Sequence, residues 1–130
     1  MIELTRDGDA FVLAMRNGEN RYNRESVDAI HAALDEVEAS TGPAALVVTG
    51  EGKFFSNGLD LDWMLGEGGQ ADPGFLGDVH RIFGRVLGLS MTTVAAVNGH
   101  AFAGGAMLVC AFDKRVMRDD RGYFCLPELD

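Results

Sequence analysis

The residue types best suited to chemistry fall in three short stretches. The first is Lys53-Phe54-Phe55-Ser56-Asn57-Gly58-Leu59-Asp60-Leu61, the second runs from Val97 through Asn98-Gly99-His100-Ala101-Phe102-Ala103-Gly104-Gly105 to Met107, and the third is Leu126-Pro127-Glu128. The first two each follow an apolar run, Ala44 to Val48 and Thr93 to Val97, so each reads as a buried strand entering a glycine turn. After the second turn, Ala103 to Phe112 lacks proline and reads as a buried helix. Its opening N–H groups are unpaired and suit an anion, or an oxygen that becomes one during a reaction. If the two turns share one end of a sheet, each can give a main-chain N–H to a single oxygen, which is oxyanion-hole geometry. The glycines would equally serve close helix–strand packing, with unusual φ/ψ expected at Gly99, Gly104 and Gly105. Asn57-Gly58 invites a positive-φ turn that frees the N–H of Leu59, with Asp60 accepting a main-chain bond to brace it.

Taken in order, Phe55 to Leu61, Ala96 to Ala101 with Gly104-Gly105, and Leu126-Pro127-Glu128 resemble the signature of the crotonase superfamily of acyl-CoA enzymes. The resemblance covers the whole chain and about the first half of a usual member. It implies an α/β fold, a crotonase/ClpP-like spiral of ββα units whose C-terminal portion is missing here, with residues 1–130 as one truncated domain. It also implies assembly as a homo-oligomer, a trimer or dimer of trimers. The substrate would be an acyl-CoA thioester, with coenzyme A as part of the substrate and no separate cofactor or metal. Leu59 and Gly104 would supply the oxyanion N–H groups, and Arg21, Asn23, Ser56, Asn57, Gly58, Asp60 and Met107 would line the substrate and coenzyme.

Hydratases of this superfamily use two glutamates, one just after the glycine turn and one in the Pro-Glu motif. Met107 aligns with the first, and a thioether cannot activate water, so Glu128 remains as the single base. One carboxylate resembles the Δ3,Δ2-enoyl-CoA isomerases, in which the proton taken from C2 is returned to C4. Phe54 to Gly58 resembles the plant-type branch of these. Leu126 and Pro127 are expected to shield Glu128 from solvent and strengthen it as a base. Hydration, decarboxylation or thioester hydrolysis on the same oxyanion hole is the enzymatic alternative. A non-catalytic acyl-CoA-binding or assembly subunit is the other.

Length and composition frame this reading. The 130 residues carry 47% hydrophobic and 24% charged residues, ordinary for a globular chain long enough to bury a core. No apolar run reaches the ~20 residues that span a bilayer, and no signal peptide precedes the first strand, so no membrane partner and a cytoplasmic location are expected. A net charge of −9 argues against nucleic acid. It also leaves a phosphorylated coenzyme to local cations, with Arg16, Arg21, Arg24 and Lys53 as candidates. Cys110 and Cys125 have no metal-ligand spacing and are expected reduced in the core.

The elements that must position these residues follow from pattern. Ile2 to Thr5 and Phe11 to Met15 form a hairpin around Asp7-Gly8-Asp9, and 17–23 is a polar loop. Val27, Ile30, Leu34 and Val37 make the stripe of a helix from Arg24 to Ser40, capped by Asn23 and ended by Gly42-Pro43. Leu61 to Leu65 is a short apolar segment in which Trp63 packs in the core. Gly66 to Asp72 reads as a flexible loop able to gate an acyl tunnel. Asp72-Pro73 starts a helix whose apolar face includes Phe75, Leu76, Val79, Ile82, Phe83, Val86 and Leu87. His80 on that helix reads as a surface or packing residue. His100 reads as ordering the central turn.

Overall fold

The computed structural model describes residues 1–129; Asp130 lies outside the described residues. The opening hairpin forms as expected. Strand β1 (Ile2–Asp7) pairs antiparallel with β2 (Ala10–Met15), and every second residue of β2 is buried, as its alternation requires. Helix α1 (Arg24–Glu38) starts at Asn23 with a reciprocal cap: the Asn23 side chain accepts from Ser26 N–H while Ser26 Oγ accepts from Asn23 N–H. Val27, Ile30, Leu34 and Val37 of α1 are buried, confirming the stripe.

Thereafter a long strand is followed by a short one three times over. The long strands β3 (Ala45–Gly50), β5 (Thr92–Val97) and β7 (Lys114–Met117) join the hairpin in a five-stranded sheet ordered β1-β2-β3-β5-β7, parallel from β2 onward. The short strands β4 (Phe54–Ser56), β6 (His100–Phe102) and β8 (Phe124–Cys125) form a separate parallel sheet ordered β4-β6-β8. Helices leave after the short strands: α2 (Leu61–Leu65), α3 (Glu67–Gln70) and α4 (Phe75–Gly88) after β4, and α5 (Gly104–Cys110) after β6. This is the ββα spiral expected from the resemblance. Parallel pairing needs these crossovers, and stacking successive units places every short-strand end on one side of the molecule.

The core lies between the large sheet and its helices. Leu13, Leu46, Val48, Ala95 and Val97 meet the α1 stripe together with Val79, Ile82 and Val86 of α4 and Leu108 and Val109 of α5. Two charged clasps set α4 against α1. Arg24 pairs with Asp72 at 2.7 Å and Asp78 at 2.9 Å, and Arg85 pairs with Asp35 at 2.7 Å.

Four expectations are corrected. The stretch after α2 is a helical turn, α3, because Gly68 packs on the Trp63 indole and the Gln70 amide donates to the Leu65 carbonyl at 3.0 Å. Helix α4 starts at Phe75 instead of Pro73, with Gly74 as its cap and no side-chain cap bond, and the Asp72 carboxylate pairs with Arg24. Cys110 is exposed and Cys125 half-buried, both as free thiols, because Cys110 falls on the outer side of α5. On α4, Leu76 and Leu87 are exposed, so the packed face is narrower than the apolar pattern.

Candidate active site

Three loops converge where the short sheet ends, held by side chains that bond to main chain. Asn20 Nδ2 donates to the carbonyls of Phe54 and Phe55, at 3.2 and 3.1 Å. Asn98 receives Gly50 N–H on Oδ1 at 2.8 Å and donates from Nδ2 to the Gly52 and Phe54 carbonyls. Ser56, fully buried, donates from Oγ to the Asn20 carbonyl at 2.8 Å and accepts from Gly58 N–H at 3.1 Å. Its hydroxyl is therefore spent inside the protein and is not presented to a substrate. Glu19 accepts both the Asn57 main-chain N–H, at its carbonyl, and the Asn57 amide, at its carboxylate. That amide, with the Arg21 guanidinium, holds the Glu19 carboxyl below its ordinary range.

The two glycine turns lie side by side. A Cβ placed on Gly58 would sit 2.9 Å from the main-chain nitrogen of Gly104, and one on Gly104 would sit 3.4 Å from Gly58 Cα. Gly58 has φ +79°, the positive-φ turn that Asn57-Gly58 implied. The parallel bridge between Tyr22 and Leu59 then sets the direction of Leu59. Tyr22 N–H donates to the Gly58 carbonyl at 2.8 Å and Asp60 N–H donates to the Tyr22 carbonyl at 3.0 Å. In such a bridge the residue between the two bonds turns its own N–H to the opposite side. Among the described residues neither Leu59 N–H nor Gly104 N–H finds an acceptor. Asp60 accepts from Trp63 N–H at 3.1 Å, capping α2.

The central turn departs from expectation in its backbone. Gly99, Gly104 and Gly105 lie outside the positive-φ region, and the positive φ belongs to Ala103, at +51°. The glycines are there for contact: a Cβ on Gly99 would fall 2.1 Å from the Lys53 carbonyl oxygen and one on Gly105 2.2 Å from that of Ser56.

These turns form one wall of a cleft of ≈ 480 Å³. Asn57, Leu59 and Leu61 line it from the first turn, and Ala103, Gly104 and Met107 from the second. Leu76, Val79, His80 and Phe83 face it from α4, and Pro127 and Glu128 close it from a 3₁₀ turn at Pro127–Leu129. The lining is mainly apolar. Among the described residues it holds no carboxylate besides Glu128. Glu128 is exposed on the cleft rim, where enclosure by Leu126 and Pro127 was expected; the 3₁₀ turn projects it outward.

Other expected site residues lie elsewhere. Arg21 is paired with Glu19 at 2.6 Å, and with Asn23 it borders a separate cavity of ≈ 40 Å³. The Asn23 side chain is occupied as the α1 cap. Arg16 and Arg24 are each in ion pairs, and Lys53, exposed beside the Phe54 ring, does not line the cleft. Trp63 packs edge-on to Phe75 at 4.6 Å, as core. His100 accepts Tyr123 N–H on Nδ1 at 3.1 Å and stacks on Tyr123, so it orders the short sheet away from the cleft. His80 is the lining residue that pattern reading set aside. Its signal was present: with Leu76, Val79 and Phe83 it occupies i, i+3, i+4 and i+7 of one helix face.

The enoyl-CoA hydratase/isomerase family model matches residues 10–130. The chain belongs to this family. Enoyl-CoA delta isomerase 3 of Arabidopsis thaliana is 34% identical over 139 residues, spanning 100% of this chain and 57% of its own length. The peroxisomal enoyl-CoA delta isomerase 2 of the same plant is 35% identical with the same coverage. The apo structure of an enoyl-CoA isomerase from Mycobacterium tuberculosis, 30% identical, superposes with a TM-score of 0.82 over 92% of this chain and 52% of that one. The chain thus spans little more than half the length of these relatives. Among the described residues no helix is long and apolar enough to cross a membrane.

Proposed function

We propose that this protein is the acyl-CoA-binding part of a Δ3,Δ2-enoyl-CoA isomerase, with Glu128 as its single base. The observation that carries this is the shared cleft, in which Leu59, Gly104, Met107 and Glu128 line one space; the resemblance assigns the Met107 position to the second glutamate of hydratases. The thioester oxygen accepts the N–H groups of Leu59 and Gly104, which stabilises the dienolate formed when Glu128 removes a proton from C2. Each such donor is worth roughly 3 kcal/mol in the transition state. Glu128 then delivers the proton to C4 on the same face. The apolar residues of α4 and Met107 hold the acyl chain. Exposed Val116, Tyr123 and Phe124 at the free sheet edges support closure by association into a trimer, read as a mass of three protomers by light scattering; a monomer would contradict it.

A side-by-side product assay tests the reaction. Given a 3-enoyl-CoA, the protein is expected to form the 2-enoyl-CoA; given a 2-enoyl-CoA, it is expected to form no 3-hydroxyacyl-CoA. The reverse outcome would establish hydration, for which His80 in the cleft wall is the one other side chain of acid–base type lining it among the described residues. No turnover with either, alongside retained acyl-CoA binding, would contradict catalysis by these residues alone, and the same assay on a longer chain would separate a partial site from a non-catalytic subunit.

A further inference from the structure

Tyr22 touches both halves of the two-donor turn pair. Its main chain brackets Leu59 with the two bonds described above, and its ring lies against Gly104: a Cβ on Gly104 would meet Tyr22 Cε2 at 3.2 Å and Cδ2 at 3.5 Å. The side chain is 2% exposed, among the largest fully buried in the chain, and burial pushes its phenol well above the ordinary range. Its hydroxyl donates to the Gly104 carbonyl at 3.5 Å, a length at which little energy is gained. The ring, then, is the part that acts.

The two donors come from loops far apart in sequence, and N–H groups stabilise an oxyanion only when preorganised at its position. The Tyr22 bridge to Leu59 uses main chain alone and would survive any side chain there. What the sequence specifies at this position is the flat floor under Gly104, whose lack of Cβ lets the ring and Gly58 approach from two sides. Packed rigidly between them, Gly104 cannot drift from Leu59.

We propose that Tyr22 is a positioning residue for the two-donor oxyanion site, its backbone aiming the N–H of Leu59 and its ring fixing that of Gly104. This rests on the acyl-CoA reading above and adds a determinant of its rate. Tyr22→Leu removes the ring face, Tyr22→Met removes it too but leaves a flexible unbranched chain of similar volume that fills irregular gaps, should the leucine variant not fold, and Tyr22→Phe keeps the ring without the hydroxyl.

The test reads the carbonyl stretch of a saturated acyl-CoA, labelled with carbon-13 at the thioester carbon, bound to each folded variant. The wild type is expected to lower the stretch by polarising the carbonyl. The leucine and methionine variants are expected to lose most of that shift and about 10- to 100-fold in kcat, with KM little changed. The phenylalanine variant is expected to recover both. A full shift and wild-type kcat in a folded leucine or methionine variant would overturn the positioning role. No shift in the wild type itself would overturn the two-donor site, and the positioning role with it.

Discussion

Ala103 carries φ +51° and ψ −119°, a conformation that favours glycine, at the residue that delivers Gly104 into the cleft wall. Such a backbone costs of order 1 to 3 kcal/mol and persists only where its surroundings over-determine it. Here they do so on both sides, since Ala103 N–H donates to the Cys125 carbonyl at 3.0 Å and Met107 N–H returns to the Ala103 carbonyl at 2.9 Å. Ala103→Gly is therefore expected to raise stability by about 1 kcal/mol, seen as a higher urea midpoint at unchanged m value. A lower midpoint would mean that the methyl contributes more by packing than the backbone loses. At this scale sequence reading was partial. It found Gly58, because Asn-Gly has one favoured turn chemistry. It misassigned the strain at the second turn, because three glycines nearby are the obvious places to put it, and only tertiary contacts explain why they are glycine: the Lys53 carbonyl at Gly99, the Tyr22 ring and Gly58 at Gly104, and the Ser56 carbonyl at Gly105.

Among elements, α4 matters most to the cleft, since it supplies one wall, and its position is set by charged contacts to α1. Arg24 reaches Asp72 and Asp78 across that junction, and its hydrogen bond holds the Asp78 carboxyl below the usual range. A carboxyl lowered in the folded state stabilises above its unfolded pKa of about 3.9, and that contribution is lost as pH falls through the lower folded value. Arg24→Gln should therefore destabilise the protein at pH 7, with the gap to wild type shrinking below about pH 4 in denaturation curves taken across pH. A gap that persists undiminished at lower pH would assign the effect to the stack of Arg24 over Phe75, 5.5 Å from the ring centroid. Most helices and long strands were legible because their apolar periods are clean. The start of α4 was not, because Asp72-Pro73 is a good start signal locally, while in the fold the Asp72 carboxylate pairs with Arg24 of α1 and the helix opens after Gly74. Helix α3 was likewise hidden, its glycines marking close packing on Trp63 and Met64 where composition alone implied a flexible loop.

For the whole molecule, the decisive fact is one that motif order implies and no local pattern contains. Parallel pairing of β4 with β6 brings the Gly58 and Gly104 turns to the same end of the short sheet. The turn after β8 brings Glu128 to the same cleft. Three stretches scattered along the chain thus face one apolar space that has, among the described residues, a single carboxylate at its rim. Family resemblance carried that expectation; periodicity could not, since it describes faces of elements and says nothing of which ends meet. It could not anticipate that Glu128 stands exposed, either, because its cover depends on what surrounds a turn and not on its neighbours in sequence.

Whether Glu128 alone moves the proton is read most directly in the kinetics of Glu128→Gln on a 3-enoyl-CoA. The amide keeps the shape of the side chain and cannot take the C2 proton. A single base there predicts a fall in kcat of roughly 10²- to 10⁴-fold, the usual contribution of a positioned base, with acyl-CoA affinity changed by less than about threefold. A glutamine variant that isomerises within about tenfold of the wild-type rate would place the base elsewhere and contradict a single-base role for Glu128.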